Sequence, residues 1–376
     1  MTPKRRGHNE GTIKERADGL WEARVSLPGG KRKSLYGKTR RDVQDKLRAA
    51  LRDMDAGLDL TAGRQTVGQF LDRWLDDVVA PTLAPKTVSS YREIVRVHLV
   101  PALGRHELTK LTPQHVQALL REREAAGRSP RTVAYIRAVL RIALNRALKW
   151  GLVSRNVAAL TDAPRAVRTE RRPLTPTQAR ALLTAAEGDR LEALYRVGLA
   201  LGLRLGEALG LSWADVDLDA GTLRVRFALQ RIGGTLTLKE PKTEKSRRSL
   251  TMPASLVAAL RAHRVRQLEE RLAAGPRWHE SGLVFTNTIG GPLEPSNVLK
   301  ALKSRLAAAG LPAQRFHDLR HAAASLLLAQ GVPARVVMDI LGHSQIATTM
   351  DLYSHVMPAA HEDAAALMDA ILTATG

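Results

Sequence analysis

The hydrophobic period of this chain changes along its length, and a chain that switches from period two to period 3.6 cannot fold as one uniform layer. Across residues 12–36 the pattern alternates, with Trp21, Ala23, Val25 and Leu27 on one side and Glu22, Arg24 and Ser26 on the other. Asp18-Gly19 before that run and Pro28-Gly29-Gly30 after it are turn sequences, so residues 12–16, 20–27 and 31–36 are expected to form a three-stranded antiparallel sheet. Thr39 then caps a helix running to about Asp55. From Thr66 to Trp150 the spacing is helical, and the start signals read one by one. Thr66 caps a helix through Val79, Lys86 lies near the start of a second, and Thr112-Pro113 and Ser129-Pro130 each put a cap and a first-turn proline on a third and a fourth. Residues 161–173, with two prolines and four arginines, lack any period and read as a basic linker, and Thr175-Pro176 opens the next helix.

The expectation is a multidomain protein, mainly α with small β-sheets. Its parts are a sheet-plus-helix module over residues 1–60, a four-helix domain over 64–160, the linker 161–173 and a mixed α+β domain over 174–376. A chain of 376 residues is long enough to give each folded part its own core.

Charge narrows the partners. Lys and Arg total 58 against 37 Asp and Glu, a net of +21, while 44% of the residues are hydrophobic, as in an ordinary globular protein. Such a field attracts polyanions, and nucleic acid is favoured over an anionic membrane or an acidic substrate. In the sheet module Arg24, Lys31, Arg32 and Lys33 are the candidate DNA contacts. On the fourth helix Arg131 and Arg137, with Arg141, Arg146 and Lys149, form either a phosphate-facing stripe or a solvated face. Cysteine is absent, which excludes disulfides, thiolate metal sites and cysteine nucleophiles. The N-terminus lacks the apolar core of a secretion signal, and the longest apolar runs, near residues 197–203 and 322–329, fall far short of the ~18 residues of a membrane span. A soluble cytoplasmic protein with no membrane partner is expected, nucleoid-associated when bound to DNA.

Four patterns in the last segment carry candidate chemistry. Gly202-Leu203-Arg204-Leu205-Gly206-Glu207 puts an arginine in an apolar stretch, where it is costly to bury unless paired or bound to an anion. Glu207, three residues on, shares its helical face and could hold it, and a buried ion pair alone is the local alternative. Gly198, Gly202, Gly206 and Gly210 recur every fourth residue, which suggests close helix packing or a helix break near Gly202. Residues 240–248 are a Lys- and Arg-rich stretch between the strand-like runs 223–229 or 235–238 and 249–252, and read as a hairpin tip. His317-Asp318-Leu319-Arg320-His321 opens a helix with His317, Arg320 and His321 on one face. Zinc is disfavoured there, because Arg320 would put a cation beside the metal, and an anion is the better fit. Last, Leu341-Gly342-His343-Ser344 is followed ten residues later by Leu352-Tyr353-Ser354-His355.

In order and spacing, the four patterns resemble the catalytic domain of the tyrosine recombinases, the integrase family of site-specific DNA recombinases. The resemblance covers about residues 66–360, and the N-terminal module is similar to the arm-binding domain of many phage integrases. It implies a catalytic set of Arg204, Lys242, His317, Arg320, His343 and Tyr353, with Glu207 in support. Lys239 and Lys245 lie near Lys242, and the Pro-Lys-Thr context selects Lys242. The implied reaction transfers a phosphodiester to Tyr353, giving a covalent 3′-phosphotyrosyl intermediate. Arg204 and Arg320 would meet the nonbridging oxygens, His317 would be the base, Lys242 the acid for the 5′ oxygen, and His343 would hydrogen-bond the phosphate. No cofactor is expected, since neither metal ligands nor a nucleotide-binding glycine loop is evident. The implied partners are double-stranded DNA bearing attachment sites, a homo-tetramer on paired sites, and a DNA-bending protein or an excision factor. Neighbouring readings are a chromosome-dimer resolvase, a type IB topoisomerase-like enzyme and a catalytically inactive DNA-binding regulator. The acidic tail carries an apolar stripe of Leu367, Met368, Ile371 and Leu372, which docks either on its own domain or on a neighbouring protomer.

Overall fold

The computed structural model describes residues 12–27, 32–55, 65–164, 173–240 and 247–342, with Met368, Asp369, Leu372 and Thr373. The chain divides into two compact units, residues 1–169 and 170–376.

The first unit opens with an antiparallel sheet in the order β1 (Thr12–Glu15), β2 (Trp21–Ser26) and β3 (Arg32–Gly37). Gly19 takes the positive φ of 75° that the turn between β1 and β2 needs. Thr39 Oγ1 accepts the Asp42 N–H at 3.1 Å and starts the helix Arg40–Asp55. That helix covers the sheet face carrying Ala23, Val25 and Leu27, and Val43 and Leu47 complete the small core. Glu22 departs from the expected solvent side of the strand: it lies on the opposite face from the core yet is buried.

The helical part follows the start signals closely. Thr66 Oγ1 accepts the Gln69 N–H at 3.2 Å, and Gln69 Oε1 accepts the Thr66 N–H at 3.0 Å, a reciprocal cap. The helix Val67–Trp74 then continues through a π-helical turn, Leu75–Val79, into Ala80–Thr82, so it runs past the expected end at Val79. The second helix starts at Pro85, runs to Ile94, and likewise passes through a π-helical turn, Val95–Leu99, into Val100–Leu103. Pro113–Ala125 and Pro130–Lys149 complete the set, with Thr112 and Ser129 as their caps. Phe70, Trp74, Leu99, Ile136 and Leu140 lie in their shared core.

The second unit is mixed. Helices Pro176–Ala185, Glu192–Ala200 and Leu205–Leu209 precede the strands β4 (Val216–Asp217), β5 (Thr222–Val225), β6 (Ala228–Ile232), β7 (Thr235–Lys239) and β8 (Arg248–Thr251). Two strand expectations are corrected. The run 223–229 breaks at Arg226-Phe227 into β5 and β6, which belong to different sheets. The strands flanking the basic stretch 240–248 do not pair with each other as a hairpin would: β7 pairs with β6 and β8 with β5, while residues 241–246 lie outside the described residues. The hairpin tip is Gly233-Gly234, both at positive φ. Helices Ala254–Ala274, Pro295–Ala308, Phe316–Ala329 and Ala334–Leu341 follow.

Both readings of the glycine series hold, at different positions. A Cβ on Gly198 would lie 3.1 Å from Phe316 and 3.2 Å from Leu319, so Gly198 lets the Glu192–Ala200 helix press against Phe316–Ala329. Gly202 is the break, at φ 60°, and a Cβ there would clash with Leu341 Cδ2. This close approach sets Arg204 and Arg320 into one region.

Candidate active site

The site is assembled from three chain turns. Arg320, on the first turns of its helix, is 1% exposed, and its Nη1 donates to the Gly202 carbonyl at 2.7 Å. Its Nε and Nη2 are buried and have no hydrogen-bond partner among the described residues. Arg204 precedes the short helix Leu205–Leu209 and is tied down twice by Glu207: Nη1 reaches Oε1 at 2.6 Å, and the Arg204 N–H donates to Oε2 at 3.1 Å. Arg204 Nη2 also donates to the Gly342 carbonyl at 3.3 Å, where Gly342 ends the Ala334–Leu341 helix in the left-handed conformation.

Arg248, absent from the expected catalytic set, completes the cluster. Its Nη2 donates to Glu207 Oε2 at 3.3 Å and its Nε to the Ile340 carbonyl at 2.7 Å. Period two could have found it. Arg248 lies two residues before buried Leu250 on β8 and opposite buried Val225 on β5, which turns it inward.

The electrostatics follow from three guanidinium groups around one carboxylate. Burial pushes the Glu207 carboxyl up, but Arg248 and Arg204 outweigh it and hold the group below its ordinary range. Burial, with Arg204 and Arg248 close by, brings Arg320 down to about 9. Burial lowers Arg248 as well, against the pull of Glu207.

The Phe316–Ala329 helix repeats the device of Arg204 and Glu207. Asp318 Oδ2 accepts the Arg315 N–H at 2.8 Å while Oδ1 accepts from Arg315 Nη2 at 2.7 Å, which fixes the helix start one residue before His317. His317 retains an exposed edge, and its ring meets that of His321 edge-on with centroids 4.7 Å apart. Loss of water around the ring, then His321, Arg320 and Arg315, push His317 down to about 4. It is a neutral imidazole at neutral pH. Among the described residues no three His, Asp or Glu converge as metal ligands.

The structure thus brings together Arg204, Glu207, Arg320 and, at the helix start, His317, whereas Lys242, His343, Tyr353 and Lys31 lie outside the described residues. Arg24 and Arg32 lie on the outer sheet face, while Lys33 pairs with Val25 on the side the helix covers. Arg131 is exposed, and Arg137 is engaged by Thr161 Oγ1 at 3.1 Å.

Comparison with known proteins agrees with this geometry. Residues 172–359 match the Phage integrase family and residues 66–122 the phage integrase N-terminal SAM-like domain. The tyrosine recombinase XerC-like protein of Caldanaerobacter subterraneus is 31% identical over 346 residues, 87% of this chain and 88% of the relative. Among solved structures, the Tn1549 transposon integrase in complex with transposon right end DNA aligns with a TM-score of 0.68 at 21% identity, covering 80% of this chain and 100% of that one. A lambda integrase tetramer bound to a Holliday junction aligns with a TM-score of 0.56 at 19% identity, covering 93% and 96%. The family match makes this a DNA strand transferase. The chain belongs to the phage integrase family of tyrosine recombinases. Its function is site-specific recombination of the integrase kind.

Proposed function

We propose that this recombinase cuts and rejoins duplex DNA at attachment sites through a covalent 3′-phosphotyrosyl intermediate, integrating a phage or another mobile element. The observation that carries this reading is the pair of buried donors on Arg320, unpartnered among the described residues, beside Arg204 and Arg248. Such a cluster suits a phosphodiester, because a fixed guanidinium fork meets the charge that develops on nonbridging oxygens without reorganising.

In this reading the Tyr353 oxygen attacks phosphorus and gives its proton to His317, whose neutral ring is able to accept it. The bond from phosphorus to the 5′ oxygen breaks as Lys242 protonates that oxygen, and His343 hydrogen-bonds the phosphate. Glu207 positions Arg204 and Arg248. Religation reverses the steps with a new 5′ hydroxyl. Residues 1–60 serve as an arm-type DNA-binding module, 64–160 as the core-binding domain, 161–173 as a basic linker and 174–376 as the catalytic domain. Four protomers act on paired sites, a reading supported by the likeness to the lambda integrase tetramer. A DNA-bending protein or an excision factor assists. The protein works in the cytoplasm on the nucleoid.

The test is covalent capture on a nicked duplex carrying the attachment site, sought as a direct repeat in the DNA on either side of the gene. The wild-type chain is expected to form a denaturation-resistant adduct mapping to Tyr353. An adduct on any other residue would refute the assignment.

A further inference from the structure

The outer face of the N-terminal sheet holds a carboxylate that the sequence pattern does not anticipate. Glu22 on β2 points away from the apolar core, yet it is only 3% exposed. A ring of donors covers it. Arg24 Nε donates to Oε1 at 2.9 Å, the Tyr36 hydroxyl donates to the same oxygen at 3.4 Å, and Lys14 Nζ lies 3.3 Å from Oε2. The strand register explains the gathering: Lys14 on β1 and Tyr36 on β3 are the direct cross-strand partners of Glu22. Hydrogen bonds from Arg24 and then Ser34 outweigh burial and draw the carboxyl down to about 2, so it is ionised at any pH at which the protein works.

A fixed negative charge on a face that meets a polyanion opposes binding, so its presence calls for a compensating role. The bond to Glu22 engages Arg24 through Nε, and 45% of the Arg24 side chain stays exposed. Arg16 also lies over the Tyr36 ring, 5.3 Å from its centroid, so the Tyr36 ring is pinned as well. An arginine held in one rotamer presents its fork in one direction, which suits the paired acceptors of a guanine edge. An arginine free to swing settles on phosphates, which carry no sequence information.

We propose that Glu22 is a positioning residue of a sequence-reading surface, holding Arg24, with Tyr36 and Lys14 around it, against a base edge in a groove of duplex DNA. This rests on the assignment of residues 1–60 as a DNA-binding module. It makes affinity and discrimination respond to Glu22 in opposite directions. Removing the charge strengthens binding to any duplex, because one repulsion is gone, and weakens the preference for the right one, because the fork is loose.

The experiment is selection from a library of random-sequence duplexes with the full chain, as wild type, Glu22→Gln, Arg24→Met and Arg24→Lys. Wild type is expected to enrich two motif classes, of which Arg24→Met abolishes one, the sheet motif. Glu22→Gln should lower the affinity ratio of the sheet motif over its scrambled sequence about tenfold, the scale of one bidentate base contact. Affinity for the scrambled duplex should rise, and the other motif class should stay unchanged. An unchanged ratio overturns the role of Glu22 while leaving the module assignment standing. A single motif class, indifferent to Arg24→Met, overturns the module assignment and the proposal with it. Arg24→Lys probes the same base edge without altering the buried position: it keeps the charge and loses the fork, so the ratio should fall at constant scrambled-duplex affinity, and an undiminished ratio refutes the proposal.

Discussion

Glu207 accepts from both Arg204 and Arg248, so Glu207→Gln would leave two guanidinium groups crowded around a neutral amide. The second unit should lose on the order of 3 kcal/mol, the scale for breaking a buried ion pair from one side, read as a lower urea midpoint at unchanged slope. Arg320→Ala removes the buried donors proposed to meet the phosphate and should slow covalent capture by about 10²- to 10³-fold, as for a missing oxyanion donor. Binding of the nicked duplex should survive that change, and a variant that cleaves normally would remove Arg320 from the chemistry. Tyr353→Phe should bind DNA like wild type and form no adduct. His317 offers a sign that can be checked directly. Its pKa lies at about 4 in the fold against an ordinary value near 6.5, so the neutral form is the one the fold favours. Its contribution to stability is complete above about pH 6.5 and is lost as the pH falls towards 4. In a histidine NMR titration assigned with His317→Asn, its signal should not move near pH 6.5 in the DNA-free protein. Bound DNA should raise its pKa, because the phosphodiester charge favours imidazolium.

Elements were legible where one residue type has one local job, and illegible where two distant segments decide together. Thr66, Thr112, Ser129 and Thr175 each cap the helix they announce, because a side-chain oxygen satisfying a nearby N–H is a local matter. The continuation of two helices through π-helical turns was not legible, since their ends are set by packing in the shared core. Arg248 escaped for a similar reason: a run of Lys and Arg reads as solvated surface until β5 is known to pair with β8 and turn one member inward. Glu22 escaped because alternation predicts a face and says nothing of what the neighbouring strands lay over it. Arg204, His317 and Arg320 were legible through their motif spacing. Their convergence depends on Gly202, whose left-handed turn brings its carbonyl under Arg320. Gly202→Ala should therefore cost about 1–2 kcal/mol for the left-handed backbone alone, with more from the clash against Leu341, and it should slow capture further than an equal loss of stability elsewhere. A comparison of melting temperature and capture rate with a core variant such as Leu209→Ala checks this.

Deleting residues 1–60 should preserve capture on the nicked core duplex while lowering the salt dependence of binding to longer DNA, by about 0.9 in log–log slope for each phosphate the module neutralises. Truncation after Pro358 should leave single-site binding intact and weaken assembly of four protomers on paired sites, measured by sedimentation. If the truncated monomer instead melts far lower, the tail packs within its own chain. The cluster of Arg204, Arg248 and Arg320 around one carboxylate has a consequence for the lifetime of the protein. Three cations around one carboxylate leave the cluster with a net positive charge, which in the proposed reading a DNA phosphate would balance. Binding a phosphodiester there should add to folding free energy by linkage, so copies engaged on a site resist unfolding and those adrift do not. Limited proteolysis should then spare the DNA-bound protein far more than the free one, and the difference should shrink in Arg320→Ala. Occupancy of a recombination site would thereby decide which molecules persist, with turnover clearing the idle ones.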